Sequence, residues 1–516
     1  MRCRTVHWTL VFGLLGLTLG TALAAQAETA AAEATAAGAG APEARRSVTS
    51  HEVTIGGRAV AYEAHAGYLI VDDADEKPAA QFGYTAYLAD GYDDPAARPV
   101  MFAYNGGPGS SSIWLHLGVL GPRRIVVADA DFTLPPPYEL VDNEYSILDV
   151  TDLVMIDPVG TGYSRPVGEA KGEDFWGVDP DIDSVSRFIK AWVTEYGRWA
   201  SPKILLGESY GGMRSGGVAL ELLDTHGMAL NGVVVVSPFM DYVSGFDGLG
   251  VDLPHVLFLS TLAATAWYHE ALEDRPPELV PFLDEVKAFA LNEYAPALLK
   301  GADLGEAERA AVVAKLARYT GTDEVYWERA NLRVAHGQFV KEVLRDRLQT
   351  AGRIDPRFAG PSFNLRGASR RYDPFNSAVG PAFTAAFLDY YHRELEFGRD
   401  LEYKVSGGLW RHWKWSHTPP GIGFELPFPA TTHDLARAMG QSPGMKLLVQ
   451  QGYYDLATPA HVTEYDLAHM DVPTELRDNI SIEYYEAGHM MYLHPPSLVK
   501  YKEDLARFVL AATGER

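Results

Sequence analysis

Leu205-Leu206-Gly207-Glu208-Ser209-Tyr210-Gly211-Gly212 is the stretch whose reading decides the fold. A short apolar run, 204–206, leads into it, and a helix-compatible run opening with two glycines leads out. This is a strand, a sharp turn and a helix, and the pattern G-x-S-x-G puts Ser209 at the tip. Such a turn strains the backbone of the serine, so the residues around it have to be small. Gly207 and Gly211 meet that need, because a side chain at either position is expected to clash across the turn. The Ser209 hydroxyl is then held above the sheet, facing solvent or substrate. The pattern is short enough to arise by chance, so its weight comes from its flanks and from partners elsewhere in the chain.

Outward from this stretch, strands and helices alternate. Between residues 51 and 88, Val53 and Ile55 alternate with polar residues, as do Val60 and Tyr62, and runs at 67–71 and 82–88 follow. Gly56-Gly57 reads as a two-residue hairpin turn, so this part is an antiparallel meander. Residues 100–104 read as a buried strand that runs directly into Asn105-Gly106-Gly107-Pro108-Gly109. Another buried strand, 153–156, ends at Asp157-Pro158. Asp179-Pro180 is expected to open a helix, with the aspartate as cap and the proline at its first position. Ile182, Val185, Ile189, Trp192, Val193 and Tyr196 share one face of that helix. The valine-rich run 231–236 suits a parallel strand buried on both faces. The sheet resumes at 446–451, followed by a helix from Pro459, a strand at 480–485 and a closing helix at about 496–512. The alternation predicts a right-handed, doubly wound sheet. With a serine elbow inside it, the expected class is the α/β-hydrolase fold, a mixed, mostly parallel sheet flanked by helices. Residues 251–430 break the rhythm. Helical patterns at 256–272 and 307–319, Pro276-Pro277, Pro419-Pro420 and Trp410, Trp413 and Trp415 suggest a mainly helical cap insertion above the carboxyl edge of the sheet. The tryptophans are expected to be cap core rather than pocket lining. The hydrolase core would then be 47–250 together with 431–516.

An apolar fraction of 47% over 516 residues supports a large core, and a formal charge of −24 argues against nucleic acid as a partner. Arg2 and Arg4, the apolar stretch 8–23 and Ala25-Gln26-Ala27 have the layout of a cleavable signal peptide over 1–27. Residues 28–46 are expected to be a disordered low-complexity tether. The only cysteine, Cys3, lies inside the signal, so the mature chain would have no disulfide. The expectation is an exported protein, periplasmic or secreted, without stable membrane insertion once the signal is removed.

A serine hydroxyl needs a base, and the base needs an orienting group. In this fold they follow in the order serine, acid, histidine, on loops after late strands. Asp455 in Gly-Tyr-Tyr-Asp and His489 in Glu-Ala-Gly-His-Met occupy those places. His494 is a rival base, but Gly488 suits a tight loop before His489. Asp241 follows the wrong strand for the acid, and Asp466 falls inside an expected helix. An oxyanion requires two preorganised donors, expected from the backbone N–H of Tyr210 and of Gly107. No metal or cofactor is expected: His269-Glu270 lacks the second histidine of the zinc-protease pattern, and there is no Gly-x-x-x-x-Gly-Lys loop.

Taken in order, these motifs resemble the serine carboxypeptidase family. The resemblance rests on Asn105 to Gly109 with Leu120-Gly121-Pro122 beyond it, on Ile156-Asp157-Pro158-Val159-Gly160-Thr161-Gly162-Tyr163-Ser164, on Gly207 to Gly212, and on Gly488-His489-Met490. It implies hydrolysis through an acyl-enzyme, releasing a residue from a peptide's C-terminus. It also implies that Asn105, Gly106 and a protonated Glu208 bind the terminal carboxylate, which gives acidic pH optima. Three positions depart from the family pattern. Ala103 stands where tryptophan is usual, Val119 where a second carboxylate-binding glutamate is expected, and Ser110 where the family has cysteine. Half of the carboxylate clamp is therefore missing, which leaves an esterase or acyltransferase using the same triad as the alternative.

Overall fold

The strands at the centre of the molecule are apolar on both faces, and that property sets the layering. The computed structural model describes residues 42–514, apart from Leu249 and Leu365. The expected signal peptide, and the tether up to residue 41, lie outside the described residues. The strands are β1 (Arg45–Ile55), β2 (Arg58–Asp72), β3 (Pro78–Ala89), β4 (Val100–Tyr104), β5 (Asp152–Ile156), β6 (Lys203–Glu208), β7 (Gly232–Val236), β8 (Lys446–Gly452) and β9 (Ile480–Tyr485). Their order across the sheet is β1-β2-β3-β5-β4-β6-β7-β8-β9, and a two-residue strand, Arg165–Pro166, also pairs with β3. Pairing is antiparallel from β1 to β5 and parallel from β5 to β9.

Every residue of β4, β5, β6 and β7 is buried. Met101, Leu153, Ile204 and Val234 face one core, while Phe102, Val154, Leu205 and Val233 face the other. A period of two with both faces apolar is what a parallel sheet covered on both sides requires. Helices α1 (Val178–Glu195) and α2 (Tyr210–Asp224) cover the second face through Ile182, Phe188, Trp192 and Met213. The closing helix, Pro495–Thr513, covers the first through Leu498, Leu505 and Val509. The architecture is that of an α/β-hydrolase.

Several boundaries differ from the sequence reading for identifiable reasons. Strand β1 begins at Arg45, inside the expected tether. Arg45 pairs with Asp400 at 2.7 Å, and Arg46 pairs with Glu195 at 3.0 Å and stacks on the Tyr196 ring. The runs read as two short strands at 60–62 and 67–71 are one 15-residue strand, β2. Helix α1 starts at Val178, so Asp179 and Pro180 sit within its first turn. There the missing proline N–H costs nothing. The Asp179 carboxylate does not cap; it accepts from the Thr418 N–H at 3.1 Å and pairs with His417.

The insertion between β7 and β8 divides in two. Its first part holds helices Leu253–Tyr268, Leu279–Phe289, Glu306–Thr320 and His336–Glu342, which share a core that includes Leu259, Leu283, Leu316 and Phe339. The helix Pro374–Arg393 instead packs into the sheet's own core, with Phe383, Phe387 and Tyr390 near Tyr87 and His116. After it the chain passes over the motif loops, with bridges from Lys404 to Gly162, Ser406 to Ser110 and Lys414 to Gly177. Among the described residues no helix is long and apolar enough to cross a membrane.

Candidate active site

Ser209 sits between β6 and α2 with φ +62° and ψ −125°, the strained conformation expected at an elbow tip. The loop after β7 holds it there: the Ser209 N–H donates to the Val236 carbonyl at 2.9 Å, and the Phe239 N–H donates to the Ser209 carbonyl at 2.9 Å. A Cβ on Gly207 would lie 2.2 Å from the Gly211 carbonyl oxygen, so no side chain fits. The requirement at Gly211 is milder than the sequence suggests, since the nearest atom to a Cβ there is the Tyr104 oxygen at 3.2 Å. The glycine-rich loop after β4 rests on the elbow. A Cβ on Gly106 would lie 2.4 Å from the Tyr210 nitrogen. Neither the Gly107 nor the Tyr210 N–H finds an acceptor among the described residues, and both residues border the cavity at Ser209.

Asp455 and His489 come together as expected. His489 Nδ1 lies 2.8 Å from Asp455 Oδ2, which places the proton on Nδ1 and leaves Nε2 as the acceptor. Asp455 is fully buried. Its other oxygen accepts from the Ala457 and Thr458 N–H groups at 2.8 and 3.0 Å, and the Thr458 hydroxyl lies 2.7 Å from Oδ2. The His489 backbone is pinned on both sides, by its N–H to the Ile354 carbonyl at 2.8 Å and by the Ser237 hydroxyl to its own carbonyl at 2.8 Å. Burial, the largest influence, pulls the imidazole pKa down, but the charge and hydrogen bond of Asp455 outweigh it and the net shift is upward. Gly488 is small because Asp355 packs on it, with a Cβ there only 2.5 Å from the Asp355 side chain. The rivals are elsewhere: His494 bonds Ser497, Asp241 caps Val243, and Asp466 is buried near Asp241 and Ser244.

Ser209 and His489 line one cavity of about 530 Å³, together with Asn105, Gly106, Gly107 and Glu208. The Ser209 hydroxyl makes no hydrogen bond among the described residues, to His489 or to any other group. Contacts of this kind commonly tighten only with substrate in place. Asn105 Nδ2 donates to Glu208 Oε1 at 2.7 Å, and the Tyr492 hydroxyl donates to Oε2 at 2.7 Å. Burial raises the Glu208 pKa to about 7, against the opposing effects of His489, Tyr492 and Asn105. Ser209 also lines a second cavity of about 690 Å³, together with Phe239, Tyr242, Phe246, Trp410, Trp413 and Trp415. The tryptophans expected to be cap core therefore line a pocket. Trp413 also stays in the core, edge-on to Tyr210 at 5.3 Å.

Residues 56–276 match the family model described as Serine carboxypeptidase. That segment is similar to the serine carboxypeptidase family. Serine carboxypeptidase-like 45 from Arabidopsis thaliana is 26% identical over 199 residues, 36% of this chain and 39% of the relative. Pheromone-processing carboxypeptidase KEX1 from Saccharomyces cerevisiae is 32% identical over 159 residues, 29% of this chain and 21% of the relative. The chain thus spans well under half the length of these curated relatives. The crystal structure of KEX1(delta)p, a prohormone-processing carboxypeptidase from Saccharomyces cerevisiae, aligns with a TM-score of 0.55 over 87% of this chain and 91% of that one, at 16% identity. That likeness is one of fold.

The matched segment contains the glycine-rich loop and the elbow, and it ends before Asp455 and His489. Its fixed points include residues that sequence reasoning did not single out. Arg214, fully buried, pairs with Asp181 at 2.7 Å, donates to the Asn105 carbonyl at 2.8 Å and lies between the rings of Tyr104 and Tyr210. It ties elbow, glycine-rich loop and α1 together. Asp157 in the second motif is structural: it accepts from the Ser112 N–H at 2.8 Å and so fastens the far end of the glycine-rich loop. A Cβ on Gly162 would overlap its carboxylate. Burial raises the Asp157 pKa to about 6. Val119, where the family carries a glutamate, is buried in the first core, so no second carboxylate enters the cavity from there. Arg353, also missed, borders both cavities.

Proposed function

We propose that the protein is a serine carboxypeptidase that cleaves peptides at their C-terminal end. The observation that carries this reading is one cavity holding Ser209, the Asp455-bound His489 and the hydrogen-bonded Asn105–Glu208 pair. In this mechanism His489 Nε2 takes the Ser209 proton as Oγ attacks the scissile carbonyl carbon, and Asp455 stabilises the imidazolium that forms. The N–H groups of Gly107 and Tyr210 donate to the carbonyl oxygen as it gains charge. His489 then passes the proton to the leaving amine, and water, activated by the same imidazole, hydrolyses the acyl-enzyme. Asn105, Gly106 and Glu208 receive the terminal carboxylate, with Glu208 as a donor while it is protonated. Ser209→Ala is expected to lower kcat on blocked dipeptides by about 10⁴-fold or more. Full turnover by that variant would exclude the triad.

A second reading, an esterase or acyltransferase using the same triad, is favoured by the buried Val119 in place of a clamp glutamate. A blocked dipeptide, its C-terminal amide and a simple ester separate the two: preference for the free acid supports the peptidase, and indifference supports the esterase. We further infer export through the N-terminal segment 1–27, and a substrate-shaping role for the helices between β7 and β8.

A further inference from the structure

Among the described residues, one cation at the Ser209 cavity has no partner for its side chain. Arg353 borders both cavities, and its guanidinium makes no hydrogen bond, ion pair or ring contact with any described residue. The carboxylates around it are engaged elsewhere. Asp455 serves His489 and Thr458, Asp247 pairs with His336 at 2.7 Å, and Asp373 pairs with Arg370 and accepts the Arg353 main-chain N–H at 3.0 Å. Arginine does not lose its proton in proteins, so a guanidinium without a partner at the wall of a substrate cavity is a ready receptor for an anion. Burial works against its charge and lowers its pKa, as does the neighbouring Arg370.

The backbone fixes where this residue is rooted. Arg353 is anchored through its own N–H to Asp373, and the next residue, Ile354, accepts the His489 N–H at 2.8 Å. The main chain of Arg353 is therefore registered to that of the base, and its side chain borders the cavity that His489 lines. In every peptide the α-carboxylate carbon lies two bonds from the leaving nitrogen, so its receptor has to stand close to the base and the elbow. An acidic side chain carries no such constraint.

Resting on the carboxypeptidase reading, we infer that Arg353 receives the α-carboxylate of the substrate's C-terminal residue, alongside Asn105, Gly106 and Glu208. It supplies from the inserted segment the recognition that Val119 cannot. A planar guanidinium offers a bidentate fork to a carboxylate, a stronger and more directional contact than a second acid sharing a proton.

The test is the ratio of kcat/KM for a blocked dipeptide with a free C-terminal carboxylate to that for its amide. Arg353→Met is expected to lower this ratio about 10- to 100-fold, the loss expected for a charged hydrogen-bonded pair. Arg353→Lys is expected to fall between, because it keeps the charge and loses the fork. Labelling of Ser209 by a fluorophosphonate reports in each variant that the triad is assembled. A wild-type preference for the acid that survives in both variants overturns the role of Arg353 and leaves the carboxypeptidase reading standing. A wild-type ratio near one overturns both. A loss confined to peptides with an acidic side chain assigns the guanidinium to that side chain and overturns the inference.

Discussion

Glu208 and His489 line the same cavity, and the proposed mechanism gives them opposite proton requirements. The imidazole has to be neutral to act as base, and Asp455 raises its pKa, so activity falls on the acid side. Glu208 has to be protonated to donate to a carboxylate. With its pKa raised to about 7 by burial, it is protonated below that pH and ionised above it. For free-acid dipeptides, kcat/KM is therefore expected to fall about tenfold per pH unit above roughly 7. Glu208→Gln remains a donor at all pH values, so its profile should lose that descending limb. Profiles measured from pH 5 to 9 decide the matter, and an unchanged limb in the variant would remove Glu208 from carboxylate recognition. The elbow serine, the Asp455–His489 pair, the glycine-rich loop and Glu208 could all be located from the sequence, because each belongs to a local motif with a fixed place after a strand. Thr458 and Tyr492 were not, since a hydroxyl becomes part of a site only through what folding brings next to it.

At the scale of elements, the elbow is a joint between β6, the start of α2 and the loop after β4. Two kinds of contact hold it: backbone packed on backbone at Gly106 and Gly207, and the buried Arg214–Asp181 pair. Removing one partner of a buried pair leaves the other charged and desolvated. Asp181→Ala is accordingly expected to destabilise the fold by about 3–5 kcal/mol, read from denaturant unfolding. A loss below about 1 kcal/mol would show that the pair does not anchor the joint. Central strands could be read within a residue or two, because continuous apolar runs permit little else. The N-terminus of α1 could not. Asp179 looks like a cap, yet its carboxylate is drawn to Thr418 and His417 from a segment more than two hundred residues away.

At the scale of the whole molecule, Ser209 stands between two cavities of different character. One holds Asn105 and Glu208; the other is walled by Phe239, Tyr242, Phe246 and the tryptophans near Trp413; Arg353 borders both. If the terminal carboxylate occupies the first, the side chain on the acyl side of the scissile bond enters the second. Dipeptides with phenylalanine or leucine before the terminal residue are expected to exceed those with glycine by about 10- to 200-fold in kcat/KM. Trp413→Ala should narrow that range, measured on the same series. Equal rates for glycine and phenylalanine would mean that the aromatic cavity does not receive that side chain.

The sequence by itself determined the hydrolase sheet, the elbow at Ser209 and the loops that carry Asp455 and His489, because strand periodicity and glycine-dependent turns are enforced within a few residues. Tertiary structure alone decided what surrounds them. The insertion divides between a helical body and a helix of the main core, the tryptophans face a cavity, and Arg353, its guanidinium without a partner among the described residues, lines the cavity that His489 lines. Those outcomes depend on which distant segments meet, and no local spacing encodes that meeting.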